Sequence, residues 1–243
     1  MLEYSRLSEI LNILSQKKSS SVRSLAQTLY VSDATVRRDL NVLEKQGHVR
    51  RVFGGVILLE NDQKELPFYG HTSEDAGKGE IALKAVERIN NGDVIMLDAS
   101  STVNAMIRHL KRFKGLTIIT NSALTAGGLQ ELDAKVFVTG GYMLRNSQGF
   151  VGSFAENMVR NYNADLMFFT CGGLTMDGRC TDAANDEMSI RRVMMKHSKK
   201  HILLCDSGKF GKEYCFNVCS MDEVDELISD APFTGYGKEK QRP

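Results

Sequence analysis

The chain has 243 residues, 42% of them hydrophobic and 25% charged, with a net charge of +1, which suits a globular protein with room for two domains. No apolar run reaches membrane-spanning length and Met1-Leu2-Glu3-Tyr4 opens no signal-peptide pattern, so no membrane role and a cytoplasmic location are expected. The small net charge hides an asymmetry: residues 1–60 hold nine Lys/Arg against six Asp/Glu, and the remainder holds 22 against 24. A basic front end on a mildly acidic body fits a DNA-reading head.

Leu7, Ile10, Leu11 and Leu14 recur at helical spacing and predict a first helix ending near Lys17. Ser19-Ser20-Ser21 reads as a loop in which one serine caps a second helix carrying Val22, Leu25, Ala26 and Leu29. After the turn Tyr30-Val31-Ser32, a third helix runs to about Gln46, with Ser32 as its N-cap and Gly47 at its C′ position. Val36, Leu40 and Leu43 form its inward stripe. Thr35, Arg37, Arg38 and Asn41 fall largely off that stripe, free for phosphates and base edges. His48–Val52 and Val56–Leu59, joined by Phe53-Gly54-Gly55, read as a hairpin that places Arg50 and Arg51 on a wing against the DNA backbone. Three helices and a basic hairpin in this order predict a winged helix-turn-helix, residues 1–58, with Ser32, Thr35, Arg37, Arg38, Asn41, Arg50 and Arg51 as the DNA-binding set. Residues 59–77, charged at Asp62, Lys64 and Glu65 and interrupted by Pro67, read as a linker.

From Lys78 to Arg88 a helix is expected, and from Asp93 onward strand and helix alternate. The strands are Val94–Leu97, Leu116–Thr120, Lys135–Thr139, Leu166–Phe169 and His201–Cys205, with a last one near Val224–Ile228; the helices are 101–110, 123–132, 154–162 and about 184–199. Fully apolar strands in repeated βα units predict a largely parallel sheet covered on both faces, residues 78–232, followed by a disordered tail, 233–243.

The chemistry-bearing groups gather where these strands end. Asp98, Ser100, Ser101 and Thr102 follow one strand, Thr120, Asn121 and Ser122 the next, and Gly140-Gly141 the third. Ligands of open α/β sheets bind at carboxyl ends of strands, hydroxyls and backbone N–H groups at helix starts suit anions, and a glycine pair allows close backbone approach. Lys209 supplies a cation after the fifth strand. Together these suit a phosphate with several hydroxyls, a sugar phosphate. The five cysteines, Cys171, Cys180, Cys205, Cys215 and Cys219, are odd in number and lack CxxC spacing, so neither disulfides nor a metal site is expected, and no cofactor is called for.

The string Val31-Ser32-x-x-Thr35-Val36-Arg37-Arg38-Asp39-Leu40, then Leu43-Glu44-x-x-Gly47 and Gly54-Gly55, with Arg6, Ile10 and Leu25-Ala26, resembles the winged helix-turn-helix of DeoR/GlpR-type bacterial transcriptional regulators. Residues 78–230 resemble the sensor domain of the same family, similar to the ribose-5-phosphate isomerase and CoA-transferase folds, through Asp98–Thr102, Thr120–Ser122, Gly140-Gly141, Gly149, Gly152, Glu187 and Asp206–Gly211. The resemblance implies an operator-binding repressor, less often an activator, whose DNA affinity responds to a phosphorylated sugar or related metabolite, and it adds Glu187 to the effector set. A homodimer or homotetramer placing two heads on a repeated operator is expected. The isomerase-like fold keeps open an acid–base set of Asp98, Glu187 and Lys209, that is, a sugar-phosphate isomerase-like enzyme carrying a DNA-binding head; a non-enzymatic sensor is the expectation.

Overall fold

The computed structural model describes residues 3–17, 19–45, 48–52, 54–59 and 76–236. The chain divides into two compact units, Met1–Thr72 and Ser73–Pro243, the division falling inside the segment predicted as a linker.

In the first unit, α1 (Glu3–Lys17), α2 (Val22–Thr28) and α3 (Asp33–Lys45) are followed by a hairpin of β2 (Val49–Val52) and β3 (Gly55–Leu58). The predicted apolar stripes converge: Leu7, Ile10, Leu11, Leu14, Leu25, Val36, Leu40 and Leu43 pack with Val49 and Val56 in one core. The triple-serine segment is not a loop. Ser19–Ser21 is a strand, β1, paired antiparallel with β3 in the register Ser20↔Val56 and Ser21↔Gly55. Gly55 permits this, because a Cβ there would lie 2.7 Å from the Ser20 carbonyl oxygen. Ser21 also caps α2, its hydroxyl accepting from the Ser24 N–H at 3.0 Å. Gly54 turns the hairpin at a φ of 78°, where a side chain would be strained. The predicted role of Gly47 lies outside the described residues.

One polar contact sits inside this core. Asp39, on α3 and fully buried, accepts from Arg6 of α1 at 2.5 Å (Nε) and 3.0 Å (Nη2). A bidentate fork between helices fixes the rotation of α3, and with it the face that points outward.

The second unit opens with α4 (Ala76–Val86) and carries a six-stranded parallel sheet. Its strands are β4 (Val94–Leu97), β5 (Leu116–Thr120), β6 (Ala134–Val138), β9 (Ala164–Phe169), β12 (Ser198–Leu204) and β14 (Glu226–Ile228), in the order β14-β12-β9-β4-β5-β6. Alternation along the strands fills two layers. Ile95, Leu97, Leu166, Phe168, Ile202 and Leu204 pack on one face with α4, and Met96, Met167, Phe169 and Leu203 on the other with α8 (Ser153–Val159) and α9 (Asn185–Lys196). The chain adds β5 and β6 on one side of β4 and then returns to β9 on the other. The topological switch point therefore lies between β4 and β9.

Four expectations need correction. The helix expected over 101–110 is two short ones, α5 (Ser101–Asn104) and α6 (Ile107–Leu110). The helix from Ala123, α7 (Ala123–Gly128), stops at a glycine whose Cβ would press on Ile107 at 3.2 Å. Two sets of antiparallel strands were not foreseen: the hairpin β7 (Tyr142–Met143) with β8 (Phe150–Val151), and the sheet β10 (Gly173–Leu174), β11 (Arg179–Asp182) and β13 (Phe216–Ser220). The tail does not begin at 233, since Phe233 stacks on Phe210 with ring centroids 4.9 Å apart and the Tyr236 N–H donates to the Met176 carbonyl at 2.9 Å. Among the described residues no helix is long and apolar enough to cross a membrane.

Asp39→Ala removes a buried acceptor from Arg6 and should lower the stability of the first unit by about 3 kcal/mol. Thermal unfolding of the full chain measures this; a loss under about 1 kcal/mol would show that the helices hold their rotation without the pair.

Candidate functional site

In the first unit the outer face of α3 carries the predicted recognition residues. Arg37, Arg38 and Asn41 are exposed and Thr35 is half-buried. Ser32 caps the helix, its hydroxyl accepting from the Thr35 N–H at 3.2 Å and contacting the Thr35 hydroxyl at 2.9 Å. Arg50 is exposed on β2, whereas the Arg51 guanidinium donates to the Asn41 side-chain carbonyl and its N–H to Glu44 at 2.8 Å. Two of the predicted contacts, Asn41 and Arg51, thus hold each other and tie the wing to α3. Arg23, Gln27 and Tyr30, not singled out in the sequence, line a concavity beside Ser32. Tyr30 is 95% exposed, an aromatic left outside by the tight turn into α3.

In the second unit the structure brings Asp98, Thr102, Thr120, Asn121, Ser122 and Glu187 into buried positions, five of them at the carboxyl ends of β4 and β5. Their centre is a residue the sequence reading missed. Arg191, buried on α9, donates to Asp98 at 2.9 Å, to Glu187 at 3.3 Å and to Asp182 at the end of β11. Asp98 Oδ2 also accepts from the Thr170 N–H at 3.1 Å. Thr170 then links to Lys209: its hydroxyl accepts from the Lys209 ammonium at 3.0 Å and donates to the Leu204 carbonyl at 2.7 Å. Lys209 lies 3.7 Å from Asp206 and keeps about a fifth of its side chain exposed (22%).

The predicted hydroxyls divide into two groups. Ser100 and Ser122 cap α5 and α7, accepting from Val103 and Thr125 at 3.2 and 3.1 Å, and Thr120 accepts from the Ser122 N–H at 3.1 Å. These three stabilise their own turns. Ser101 is half-buried at the start of α5. By contrast, Asp98 Oδ1, Thr102 Oγ1, Asn104 Oδ1, Asn121 Oδ1 and Thr125 Oγ1 are buried without a hydrogen-bond partner. All five come from the two connections after β4 and β5. Such atoms are costly to bury unpaired.

Gly140 and Gly141 follow β6, and a Cβ on Gly140 would meet nothing within 4 Å. Both are exposed, and a Cβ on Gly141 would lie 2.5 Å from the Val151 carbonyl oxygen, so the close approach there is the protein's own hairpin. Gly149 makes the approach that matters: its Cβ would lie 2.7 Å from that of Ala99. The Phe150 N–H donates to the Asn121 carbonyl at 2.6 Å, and Asn121 Nδ2 donates to the Phe150 carbonyl at 3.1 Å. The hairpin segment thereby lies over the β4 and β5 ends. The Tyr142 hydroxyl reaches Asp186 on α9 from the same segment.

The charges are unequal: three carboxylates surround one guanidinium. Burial opposes the charge on Arg191, but Asp182, Asp98 and Glu187 outweigh it and hold the guanidinium protonated well above its ordinary range. Burial pushes the Glu187 carboxyl above its ordinary value, with Arg191 acting in the opposite sense.

Residues 6–62 match the model of the DeoR-like helix-turn-helix domain, and residues 73–231 match that of the DeoR C-terminal sensor domain. The chain belongs to the DeoR family. It is 33% identical to the HTH-type transcriptional regulator GolR of Listeria innocua, over 95% of this chain and 91% of that one. It is 32% identical to the lactose phosphotransferase system repressor of Staphylococcus epidermidis, over 95% and 93%. Among solved structures, eIF2B delta of Chaetomium thermophilum matches with a TM-score of 0.50 at 15% identity, over 68% of this chain and 60% of that one. Ribose 5-phosphate isomerase A of Neisseria gonorrhoeae matches with a TM-score of 0.41 at 16% identity, over 55% and 52%. This DeoR-family protein is therefore a DNA-binding transcription regulator with an N-terminal helix-turn-helix domain and a C-terminal α/β sensor domain.

Because Glu187 binds its proton more tightly folded than unfolded, its contribution to stability is intact below its ordinary value of 4.5 and lost as pH rises through the higher folded value. Glu187→Gln, neutral at every pH, should therefore gain on the wild type in thermal stability as the pH rises above 4.5. A gap between the two that does not change with pH, or that moves the other way, would mean that Arg191 outweighs burial at this carboxyl.

Proposed function

We propose that this regulator represses genes of carbohydrate metabolism, and that a phosphorylated sugar or related metabolite, bound at the carboxyl ends of β4 and β5, sets its operator affinity. The observation that carries the reading is the set of five buried, unpartnered polar atoms on the two connections after β4 and β5. Sugar hydroxyls can donate to Asp98 Oδ1, Asn104 Oδ1 and Asn121 Oδ1, which only accept. The partly exposed Lys209, with the N–H groups around Ser101, suits an anionic group. The relative named as a lactose phosphotransferase system repressor supports the same class of regulated genes.

Asp98 and Glu187 serve here as acceptors and not as catalytic bases, and the protein acts as a sensor without catalysing a reaction. Each is engaged by Arg191 through one oxygen, and the relatives are named as transcriptional regulators. On the DNA side, Arg37, Arg38 and Arg50 contact phosphates or base edges, with Ser32, Thr35, Asn41 and Arg51 setting the register of α3 and the wing. A homodimer or homotetramer places two such heads on one operator. The effector changes operator affinity by binding one arrangement of the assembly better than another.

Arg37→Ala or Arg38→Ala should weaken operator binding by about tenfold or more in a fluorescence-anisotropy titration, with the thermal unfolding of the sensor domain unchanged. Undiminished binding would remove α3 as the reading helix. A thermal-shift panel of sugar phosphates should raise the unfolding temperature for one class of ligand, and Lys209→Ala should reduce that shift while leaving ligand-free DNA binding intact. A full shift in Lys209→Ala would move the anion site away from this lysine.

A further inference from the structure

The turn into α3 is built on a residue that the fold itself does not favour. Two hydrogen bonds close α2: the Val31 N–H donates to the Ala26 carbonyl at 3.0 Å, and the Tyr30 N–H to the Gln27 carbonyl at 3.3 Å. This pair of bonds ends a helix through one left-handed residue, a position that glycine fills at least strain and asparagine next. Tyr30 fills it here, at a φ of 53°. In that region a Cβ crowds the following carbonyl oxygen, so a tyrosine is strained where a glycine would not be.

The Tyr30 side chain returns nothing to the domain. It is 95% exposed, and among the described residues its hydroxyl has no hydrogen-bond partner. The turn is completed without it, because Val31, the next residue, packs half-buried on the domain core. Among the described residues, the other non-glycine with a positive φ is Gln148, and that one is half-buried. A strained backbone that presents a large aromatic to solvent points to a use outside the isolated chain.

Its position says which use. Arg23, Gln27 and Tyr30 are all exposed and recur at i, i+4 and i+7, so the outer face of α2 runs into the turn. Tyr30 lies three residues before Asp33, the first residue of α3, and lines the concavity beside Ser32. That concavity is not an anion pocket: Arg23 and Asp33 bring opposite charges to it, and the Ser32 hydroxyl is engaged with Thr35. Tyr30 adds a flat apolar ring and a hydroxyl donor. A DNA strand presents a matching pair of surfaces, an apolar deoxyribose and an accepting phosphate oxygen.

We propose that Tyr30 is a DNA-contact residue, whose hydroxyl donates to a phosphate oxygen next to the groove that α3 enters and whose ring packs on the adjoining deoxyribose. This rests on the reading that the outer face of α3 meets the DNA. Strain in the unbound turn is then offset in the complex.

The test titrates the full-length protein into a fluorescein-labelled duplex of arbitrary sequence at several salt concentrations, since a backbone contact acts on any sequence. Tyr30→Asn suits the left-handed backbone and removes the ring; it should bind about tenfold more weakly. Tyr30→Phe lacks only the hydroxyl and should lose about threefold. Both losses should hold at every salt concentration, because neither substitution removes a cation. Tyr30→Asn should unfold no earlier than the wild type on heating. Undiminished binding by Tyr30→Asn overturns the proposal, and so does binding by Tyr30→Phe as tight as the wild type, which would remove the phosphate bond. A lowered unfolding temperature in Tyr30→Asn also overturns it, because the ring would then belong to the fold. The combined Arg37→Ala, Arg38→Ala and Arg50→Ala protein, measured alongside, should bind more weakly and with a flatter salt dependence. If that protein binds as the wild type does, the reading of α3 fails and Tyr30 with it. If it weakens and Tyr30→Asn does not, the Tyr30 contact alone is lost.

Discussion

The C-terminal domain is built around one guanidinium. Arg191 is buried on α9 and donates to carboxylates from three other places in the chain: the end of β4, the end of β11, and the preceding turn of its own helix. Removing a charge from water costs several kcal/mol, which only close, well-directed partners offset. The planar fork of arginine can meet three carboxylates at once, whereas a lysine presents a single point charge. The cluster therefore fixes α9 against the parallel sheet and against the antiparallel layer in one step. It also decides what Asp98 can do: with Oδ2 committed to Arg191 and Thr170, only Oδ1 remains for anything else.

The DNA-binding domain uses a smaller form of the same device. Asp39 lies in the middle of α3, buried among leucines, and is held by the fork of Arg6. An apolar stripe alone would allow α3 to roll by several degrees, since hydrophobic contact is non-directional. A bidentate ion pair is directional, and rotation breaks it. The outward aim of Arg37 and Arg38, immediately before Asp39 in sequence, follows from that lock. In each domain, then, a buried carboxylate held by an arginine orients the element that carries the candidate site residues.

Much of this was legible in the sequence because periodicity reports burial. The stripes Leu7–Leu14 and Val36–Leu43 gave the helices, and the apolar runs at 94–97, 116–120 and 166–169 gave the parallel strands. What escaped has a common physical cause. Strands of two or three residues, such as Ser19–Ser21, Tyr142–Met143 and Gly173–Leu174, are too short to show alternation. Their existence rests on partners elsewhere: Ser20 is a strand residue only because Gly55 lets β3 come close. The site was legible as a region but not as a set of contacts. Serine and threonine at a strand end can either cap the next helix or face a ligand, and the sequence does not say which; Ser100 and Ser122 cap, while Thr102 is left unpartnered. Arg191 was hidden because an arginine on an amphipathic helix reads as a surface residue. Its spacing of four from Glu187 was the one available signal.

The division of polar atoms around β4 and β5 bears on what this domain offers a polar ligand. The two connections present acceptors in fixed positions: Asp98 Oδ1, Asn104 Oδ1 and Asn121 Oδ1, under a segment anchored through Phe150 to Asn121. A ligand that supplies donors to these atoms binds both the sheet and the segment above it. Binding energy gained that way depends on where the segment sits, so it differs between conformations, and a difference in affinity between conformations is the one thing a ligand must have to act as a signal.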